Sequence, residues 1–450
     1  MSPVIDLHFT RRDWVIGLLV VLLAFALRTV IIFDRANAPN DISAFNPLPV
    51  GSDQRTYYNA IALYRAGEFP PPTYHYQPGM PWFMVGSSEL LGTDNLGVLR
   101  LFVAALASIN VGLFMATARL ASGRRWVSVI AALLLAVYPV SAFYDTDFVI
   151  TSEAIILLNL ALLGVLALWR WPDAWGGVVL YGLSFGIIAI MRRELLALAP
   201  VFGLWLLWQR PRRRTVIQGA AAAAICVAAL LPTIYHNRSN GADFLITSVT
   251  DAELYRGNNR DANGAYHVGP ASLSTSQDYK KYLWLDIKLS PCRFVELELH
   301  KIGMFLSSHE PGNNLNYLIA GEGTSALLRA IPLNFQVLLA LFLTGLAVQA
   351  RRRDPTAALF GASFLMVLAA MLLMWVEARI RTPVVVVMML PAAWAVVEIG
   401  TALYGLIRPA QARQTALSGV KPVRLGLAAV GIAAVLAVLC HVVYCDLPLS

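Results

Sequence analysis

The segment 50–83, VGSDQRTYYNAIALYRAGEFPPPTYHYQPGMPWF, is the first place in the chain where an acid, several tyrosines and a cluster of prolines occur together. It follows an apolar run that ends at Phe33 and precedes another that begins near Asn95. Asp53 is its candidate catalytic residue, because a carboxylate can accept the proton of an attacking hydroxyl group. Aspartate is also common at the start of a helix, so a capping role stays open beside the catalytic one.

Arginines in short polar turns form a second group of residues that could do chemistry. A guanidinium keeps its charge and binds phosphate through two parallel hydrogen bonds, so these arginines indicate an anionic ligand. The candidates are Arg192, Arg193, Arg379, Arg381 and Arg100. The alternative is that they pair with nearby acids such as Glu194 and Glu377, or extend their charged heads to the membrane surface.

The elements that must hold these residues are membrane-spanning helices. Of the 450 residues, 58% are hydrophobic and 14% are charged, and the mean hydropathy is +0.62. Soluble globular proteins do not have this composition. The net charge of +8 does not indicate a nucleic-acid partner, because the arginine clusters lie in short segments between apolar runs, where the positive-inside rule places them.

Roughly eleven apolar runs are candidate spans. They cover residues 14–33, 96–117, 127–143, 149–169, 176–191, 195–208, 216–235, 332–348, 357–375, 383–399 and 426–444. Arg11 and Arg12 precede the first span, which indicates a cytoplasmic N-terminus. Alternate connections then carry most of the arginines on the cytoplasmic side, and the segment 50–83 faces outward together with residues 192–194 and 377–381.

The spans divide the chain into three expected regions. Residues 1–235 are an N-terminal transmembrane catalytic module that includes a first outer loop at 34–95. Residues 236–331 are too many for a simple connection, so we expect an extracytoplasmic loop or small subdomain there. Residues 332–450 contribute the C-terminal transmembrane helices.

Several short motifs follow one another along most of the chain. Asp53 is followed by Tyr57 and an alanine-containing helix, and then by the aromatic and proline segment YHYQPGMPWF. Later motifs are YPVSAFYDTDFVITSE, LYRGNNRDANGAY with its paired asparagines, and EARIRTP, which begins at Glu377. In this order they resemble the GT-C superfamily of glycosyltransferases that use polyprenyl-phosphate-linked sugars, in particular protein O-mannosyltransferases and the aminoarabinose transferase of lipid A.

The resemblance implies an all-α polytopic membrane protein, a GT-C-like bundle whose active site is carried by extracytoplasmic loops. The implied donor is a sugar linked to polyprenyl phosphate, and the implied acceptor is a glycan, lipid or protein. Because a polyprenyl phosphate leaves as a stable anion, one base and a cationic clamp suffice. Asp53 would be the base of an inverting reaction, and the arginines above would bind the phosphate. Further substrate contacts would come from Tyr57, Tyr76, Glu153, Asn258, Asn259 and Glu377.

The resemblance also implies a location, the prokaryotic plasma (inner) membrane, with the active site facing the periplasm or the cell exterior. One position departs from the family pattern: Gln54 stands where the family often has a second acid. Asp53 is therefore the only acid of the segment 50–83 before Glu68, which argues against paired carboxylates. No cofactor follows from the sequence, and dependence on a divalent cation stays open.

Two other classes of function are compatible with a polytopic membrane chain. A transporter or flippase of polyprenyl-linked sugars predicts polar residues in mid-span and a repeat that relates two halves. No repeat is evident in the sequence, and the ionisable residues gather toward one face. A non-enzymatic membrane scaffold would not need the outward clusters of arginines and acids.

Overall fold

The computed structural model describes residues 9–266 and 275–407, and these residues form helices without any strand. The first eleven helices are α1 (Arg11–Ala36), α2 (Asn40–Ser43), α3 (Asp53–Arg65), α4 (Gly79–Leu91), α5 (Leu96–Ser122), α6 (Arg125–Val137), α7 (Pro139–Tyr144), α8 (Thr151–Arg170), α9 (Trp175–Met191), α10 (Leu198–Gln209) and α11 (Arg213–Ser239). The others are α12 (Thr250–Asn258), α13 (Ser276–Leu289), α14 (Pro291–Leu306), α15 (Ala326–Ala330), α16 (Phe335–Arg351), α17 (Thr356–Leu372), α18 (Ala378–Arg381) and α19 (Val385–Ile407). Short 3-10 turns lie at Arg193–Ala197 and Thr382–Val384, and a π-helical turn lies at Tyr317–Glu322.

The long apolar helices confirm the all-α membrane architecture. Five of the described helices are long and apolar enough to cross a membrane: α1, α5, α8, α11 and the continuous segment Ala378–Tyr404. Four shorter apolar helices, α6, α9, α16 and α17, accompany them. The expected eleventh span at 426–444 lies outside the described residues.

One predicted span is interrupted. The run 127–143 divides into α6 and α7 because Tyr138 is extended, with φ −63° and ψ 112°, and Pro139 occupies the first position of the next helix. Proline has no N–H to donate and disfavours helical geometry in the residue before it. The break lets α7 turn into the end of the bundle, where the loop to α8 begins.

Arginines meet at one end of the bundle, which we call the basic end. Arg170 at the end of α8 donates through Nε to the carbonyl of Leu120 at 2.9 Å, and Arg210 donates to the carbonyl of Arg170 at 3.4 Å. Arg125 at the start of α6 pairs with Asp13 at the start of α1, at 2.8 Å. The opposite end, which we call the site end, carries Asp53 and the long connection between α11 and α16.

Buried ion pairs fasten the first helix at the site end. Arg28 pairs with Asp145 at 2.6 Å and Arg35 with Asp147 at 2.9 Å. Both aspartates belong to the turn between α7 and α8. Arg100 lies 3.7 Å from Asp147, stacks on Phe45 and donates to the Phe45 carbonyl at 2.6 Å. Charges buried this deeply are stable only when they are paired, so this cluster fixes the turn against α1 and α5.

The side of the membrane on which the site end lies can be tested with a natural cysteine. Cys292 is exposed at the start of α14. In a variant whose other cysteines are replaced by alanine, we expect a membrane-impermeant maleimide to label Cys292 in spheroplasts. An otherwise cysteine-free Arg212→Cys variant, which carries its thiol at the basic end, should react only after permeabilisation. Labelling in the reverse pattern would place the site end in the cytoplasm.

Candidate active site

An open cavity of about 190 Å³ lies at the site end. Its wall brings together residues of α3, the loop before α4, the turn after α9, α12 and the segment before α18. Five residues predicted from the sequence line it: Asp53, Tyr57, Tyr76, Arg192 and Arg379. They come from parts of the chain that are up to 326 residues apart.

Asp53 is the first residue of α3, and its neighbour Ser52 caps this helix. The Ser52 hydroxyl accepts from the backbone N–H of Arg55 at 3.3 Å, so the capping role that the sequence left open for Asp53 belongs to Ser52. The Asp53 side chain is 36% exposed and lines the cavity. Tyr57 lies one helical turn further on the same face. Burial, reinforced by the Asp53 charge, raises the pKa of Tyr57, so its hydroxyl stays protonated.

Arg379 links Asp53 to a second carboxylate. Its Nη1 lies 2.5 Å from Asp53 Oδ2, and its Nε donates to Glu377 Oε1. Glu377 Oε2 accepts from Trp375 Nε1 at 3.0 Å and from the Asn313 amide at 3.5 Å. Glu377 therefore lies behind the cavity wall and orients Arg379. Asp53 Oδ1 has no hydrogen-bond partner in the described part of the chain and remains available to a ligand.

The turn after α9 presents Arg192 and Glu194 to the cavity. Arg192 Nη1 lies 3.4 Å from Glu194, its Nη2 donates to the Val149 carbonyl at 3.1 Å, and its buried Nε has no partner. Arg193 is not among the residues that line the cavity. It contacts Glu253 and donates to Thr250 at 2.5 Å, and so ties this turn to α12.

Arg256 lines the cavity and was not among the candidates predicted from the sequence. Its Nε is buried without a hydrogen-bond partner, and the described residues give its guanidinium no acidic partner. Gly257 follows, and a Cβ on it would collide with the backbone of Met374. Because Gly257 has no side chain, α12 packs closely against the segment that contains Trp375 and Arg379.

Arg381 points into the protein and not into the cavity. It pairs with Glu310 at 2.6 Å and donates to the carbonyls of Met304, Phe305, Ser307 and His309 at 2.8 to 3.2 Å. Burial raises the pKa of Glu310, and the neighbouring Arg381 charge opposes that effect. Arg381 thus stabilises the connecting segment that leads from α14 to Asn313.

The remaining predicted residues also lie outside the cavity lining. Asn258 accepts from Lys301 Nζ at 2.6 Å and donates to the Leu373 carbonyl at 2.8 Å, whereas Asn259 bonds to its own loop. Arg100 belongs to the buried cluster around Asp147. Glu153 is 5% exposed in the first turn of α8, and neither of its carboxylate oxygens has a partner. No group of three His, Cys, Asp or Glu side chains in the described ranges is placed to hold a metal ion.

The pair of Arg381 and Glu310 supports a stability prediction. We expect Glu310→Gln to lower the free energy of unfolding by about 3 kcal/mol or more, because it leaves a buried guanidinium without its counter-charge. Thermal unfolding of the purified protein measures the effect. Glu89→Gln is the matched control, since Glu89 is 55% exposed and lies 3.9 Å from Arg65, and such surface pairs contribute little. Equal melting temperatures for the two variants would refute the anchoring role of Arg381.

Part of the chain matches a known protein family. Residues 72–236 match the sequence model of the family described as dolichyl-phosphate-mannose-protein mannosyltransferase. No curated protein sequence matches the chain.

Solved structures match along almost the whole chain. The archaeal oligosaccharyltransferase AglB from Archaeoglobus fulgidus, in complex with an inhibitory peptide and a dolichol-phosphate, is 15% identical with a TM-score of 0.51; the match covers 95% of this chain and 55% of AglB. ArnT from Cupriavidus metallidurans, bound to undecaprenyl phosphate, is 15% identical with a TM-score of 0.52; the match covers 96% of this chain and 78% of ArnT. This chain spans about half the length of AglB. The resemblance to the GT-C superfamily is confirmed, since the chain has the GT-C fold of these membrane glycosyltransferases and its residues 72–236 match a family of that superfamily.

Proposed function

We propose that this protein is a membrane glycosyltransferase that moves a sugar from a polyprenyl-phosphate donor to an extracytoplasmic glycan, lipid or protein acceptor. The observation that supports it best is a single cavity in which a carboxylate with a free oxygen, Asp53, shares the wall with an arginine that has no acidic partner in the described residues, Arg256. Two of the solved structures that match this chain hold dolichol-phosphate and undecaprenyl phosphate, which supports a donor of that class.

Asp53 acts as the general base in this proposal. The acceptor oxygen attacks the anomeric carbon as the bond from that carbon to the phosphate oxygen breaks. The hydroxyl proton passes to Oδ1 of Asp53, and the polyprenyl phosphate leaves with the electron pair of the broken bond. Attack from the face opposite the leaving group inverts the anomeric centre. No acid is needed at the leaving oxygen, because phosphate is a stable anion.

Arg256 and Arg192 bind the departing phosphate. Both line the cavity. Arg256 has no hydrogen bond or ion pair in the described residues, and Arg192 lies 3.4 Å from Glu194, so both guanidinium groups can bind an incoming anion. Charge-assisted bonds from guanidinium to phosphate are among the strongest hydrogen bonds in proteins. Arg379 is engaged by Asp53 and Glu377, and its role is to hold the base in place.

The other predicted arginines act as positioning residues. Arg193 links α12 to the turn that contains Arg192. This contact holds Arg192 and Arg256 in the wall of the same cavity. Arg381 and Arg100 hold the surrounding loops from within the protein. Tyr57 and Tyr76 remain in the cavity wall and contact substrate in this proposal. The site end faces the periplasm or cell exterior of a prokaryotic plasma membrane.

Transfer by the purified protein tests the proposal. The full chain in lipid nanodiscs is incubated with undecaprenyl phosphate carrying a radiolabelled sugar and with a membrane extract as acceptor. We expect label to move to the acceptor as undecaprenyl phosphate is released. A transporter or flippase would bind the donor and leave the sugar on the lipid, because nanodiscs have no second compartment. Bound but unconverted donor in every acceptor fraction would favour that alternative.

A further inference from the structure

We propose, on the basis of the function proposed above, that the sugar transferred is electrically neutral and that amide and aromatic side chains recognise it. The charges around the cavity are already paired with one another, which disfavours the two other classes of sugar, cationic amino sugars and anionic uronic acids. The uncharged part of the lining has the composition of a hydroxyl-binding site.

Every acid that lines the cavity already has an arginine partner. Asp53 lies 2.5 Å from Arg379, Glu194 lies 3.4 Å from Arg192, and Glu253 contacts Arg193. An ammonium group on the sugar would therefore find no carboxylate whose charge is not already balanced by an arginine, and it would lie close to several guanidinium groups. Like charges at such distances repel, the more so away from bulk water.

A carboxylate on the sugar would lack an unpaired cation to bind. Within the described residues, Arg256 is the cavity cation without a hydrogen bond or ion pair, and the guanidinium of Arg192 is already bonded to Glu194 and to the Val149 carbonyl. The donor's phosphate uses both of them. A second anion would have to displace an existing acid from its arginine, which leaves that acid unpaired and raises the free energy of the complex.

Neutral groups fill the rest of the wall. Gln77 and Asn314 present amides that the described residues leave without hydrogen-bond partners, and Asn313 joins them. An amide both donates and accepts, and so matches a hydroxyl group in either role. Trp375 and Tyr266 pack edge to face with ring centroids 5.1 Å apart, and Trp375 is held by Glu377. Rigid aromatic walls with a few placed polar groups are typical of sites for small organic ligands.

Binding of four related lipids to the full chain in nanodiscs tests this inference. The probes are undecaprenyl phosphate itself and the same lipid carrying a hexose, an aminopentose or a hexuronate. We expect the hexose lipid to bind at least about tenfold more tightly than the bare lipid, since two or three hydrogen bonds are gained. The aminopentose and hexuronate lipids should bind no more tightly than the bare lipid.

A designed change of preference provides the second measurement. Asn314→Asp places an unpaired carboxylate in the wall, and we expect it to shift the ratio of aminopentose to hexose affinity by about tenfold toward the aminopentose. Asn240→Asp adds the same charge at an exposed position at the end of α11, and it should leave the ratio unchanged.

The outcomes separate the two proposals. If none of the four lipids binds, the proposed function fails. If the bare lipid binds but the hexose adds no affinity, or if a charged sugar binds best, the function stands and the neutral-sugar inference is overturned.

Discussion

Replacement of Asp53 by asparagine is expected to reduce sugar transfer by a factor of about 10² to 10⁴, the usual contribution of a general base. Asparagine has nearly the same shape but cannot take up a proton. Folding should be preserved, because Ser52 caps α3 and Arg379 keeps Glu377 as its partner. Transfer assays and donor titrations on the same preparations separate the loss of chemistry from any loss of binding.

Asp94→Asn is the matched control for this experiment. Asp94 also lies at the site end, but it pairs with Arg65 at 2.8 Å on an exposed surface. Its replacement should leave transfer near the wild-type rate. Turnover of Asp53→Asn at a similar rate would remove Asp53 from the chemistry and require another proton acceptor.

Replacement of Arg256 by alanine is expected to weaken binding of undecaprenyl phosphate by about 10- to 150-fold, because hydrogen bonds to charged groups contribute about 1.5–3 kcal/mol each. Arg256→Lys should recover part of the affinity, since it restores the charge without the planar fork. Melting temperature should change little, because Arg256 has no ion pair or hydrogen bond in the described residues that its removal would break.

Arg260 offers a control four residues further along. It is exposed, and it lines a separate small groove between α12 and α13. Arg260→Ala should bind undecaprenyl phosphate with wild-type affinity. Equal losses in the two variants would show a general electrostatic effect of the outer surface and not a phosphate site at Arg256.

The fold class was predictable because a membrane imposes a simple rule on composition. Long apolar runs bounded by arginines identify helices such as α5 and α8 without any tertiary information. The sequence did not predict the break at Tyr138 and Pro139, since the run 127–143 contains no charged residue. The proline was a local signal for it.

The candidate site was harder to read, because partners in space are not partners in sequence. Asp53 and Tyr57 share a face by helical spacing, and both line the cavity. Arg381 and Arg100 are arginines near the ends of predicted spans, as Arg379 is. In the structure, however, Arg381 pairs with Glu310 and Arg100 with Asp147 inside the protein. Residue type alone could not distinguish these environments.

Arg256 was overlooked for a related reason. It follows Glu253 by three residues in α12, and such spacing predicts a pair on the helix surface. In the structure Glu253 contacts Arg193 instead, 60 residues away, and Arg256 is left without its local partner. In the same stretch, LYRGNNR, the paired asparagines form hydrogen bonds within the protein: Asn258 donates to the Leu373 carbonyl and Asn259 to the Tyr255 carbonyl.

The contact between Asp53 and Arg379 spans 326 residues, and this separation has a consequence for biogenesis. A chain is made from its N-terminus at about 5–20 residues per second, so the segment with Asp53 emerges well before the segment with Arg379. Arg192 and Arg256 are also made before Arg379, yet Asp53 lacks its Arg379 partner until α18 is inserted. The contact between Asp53 and Arg379 can therefore form only after α18 has been made, and shortened chains that stop before α18 would occupy the membrane without it.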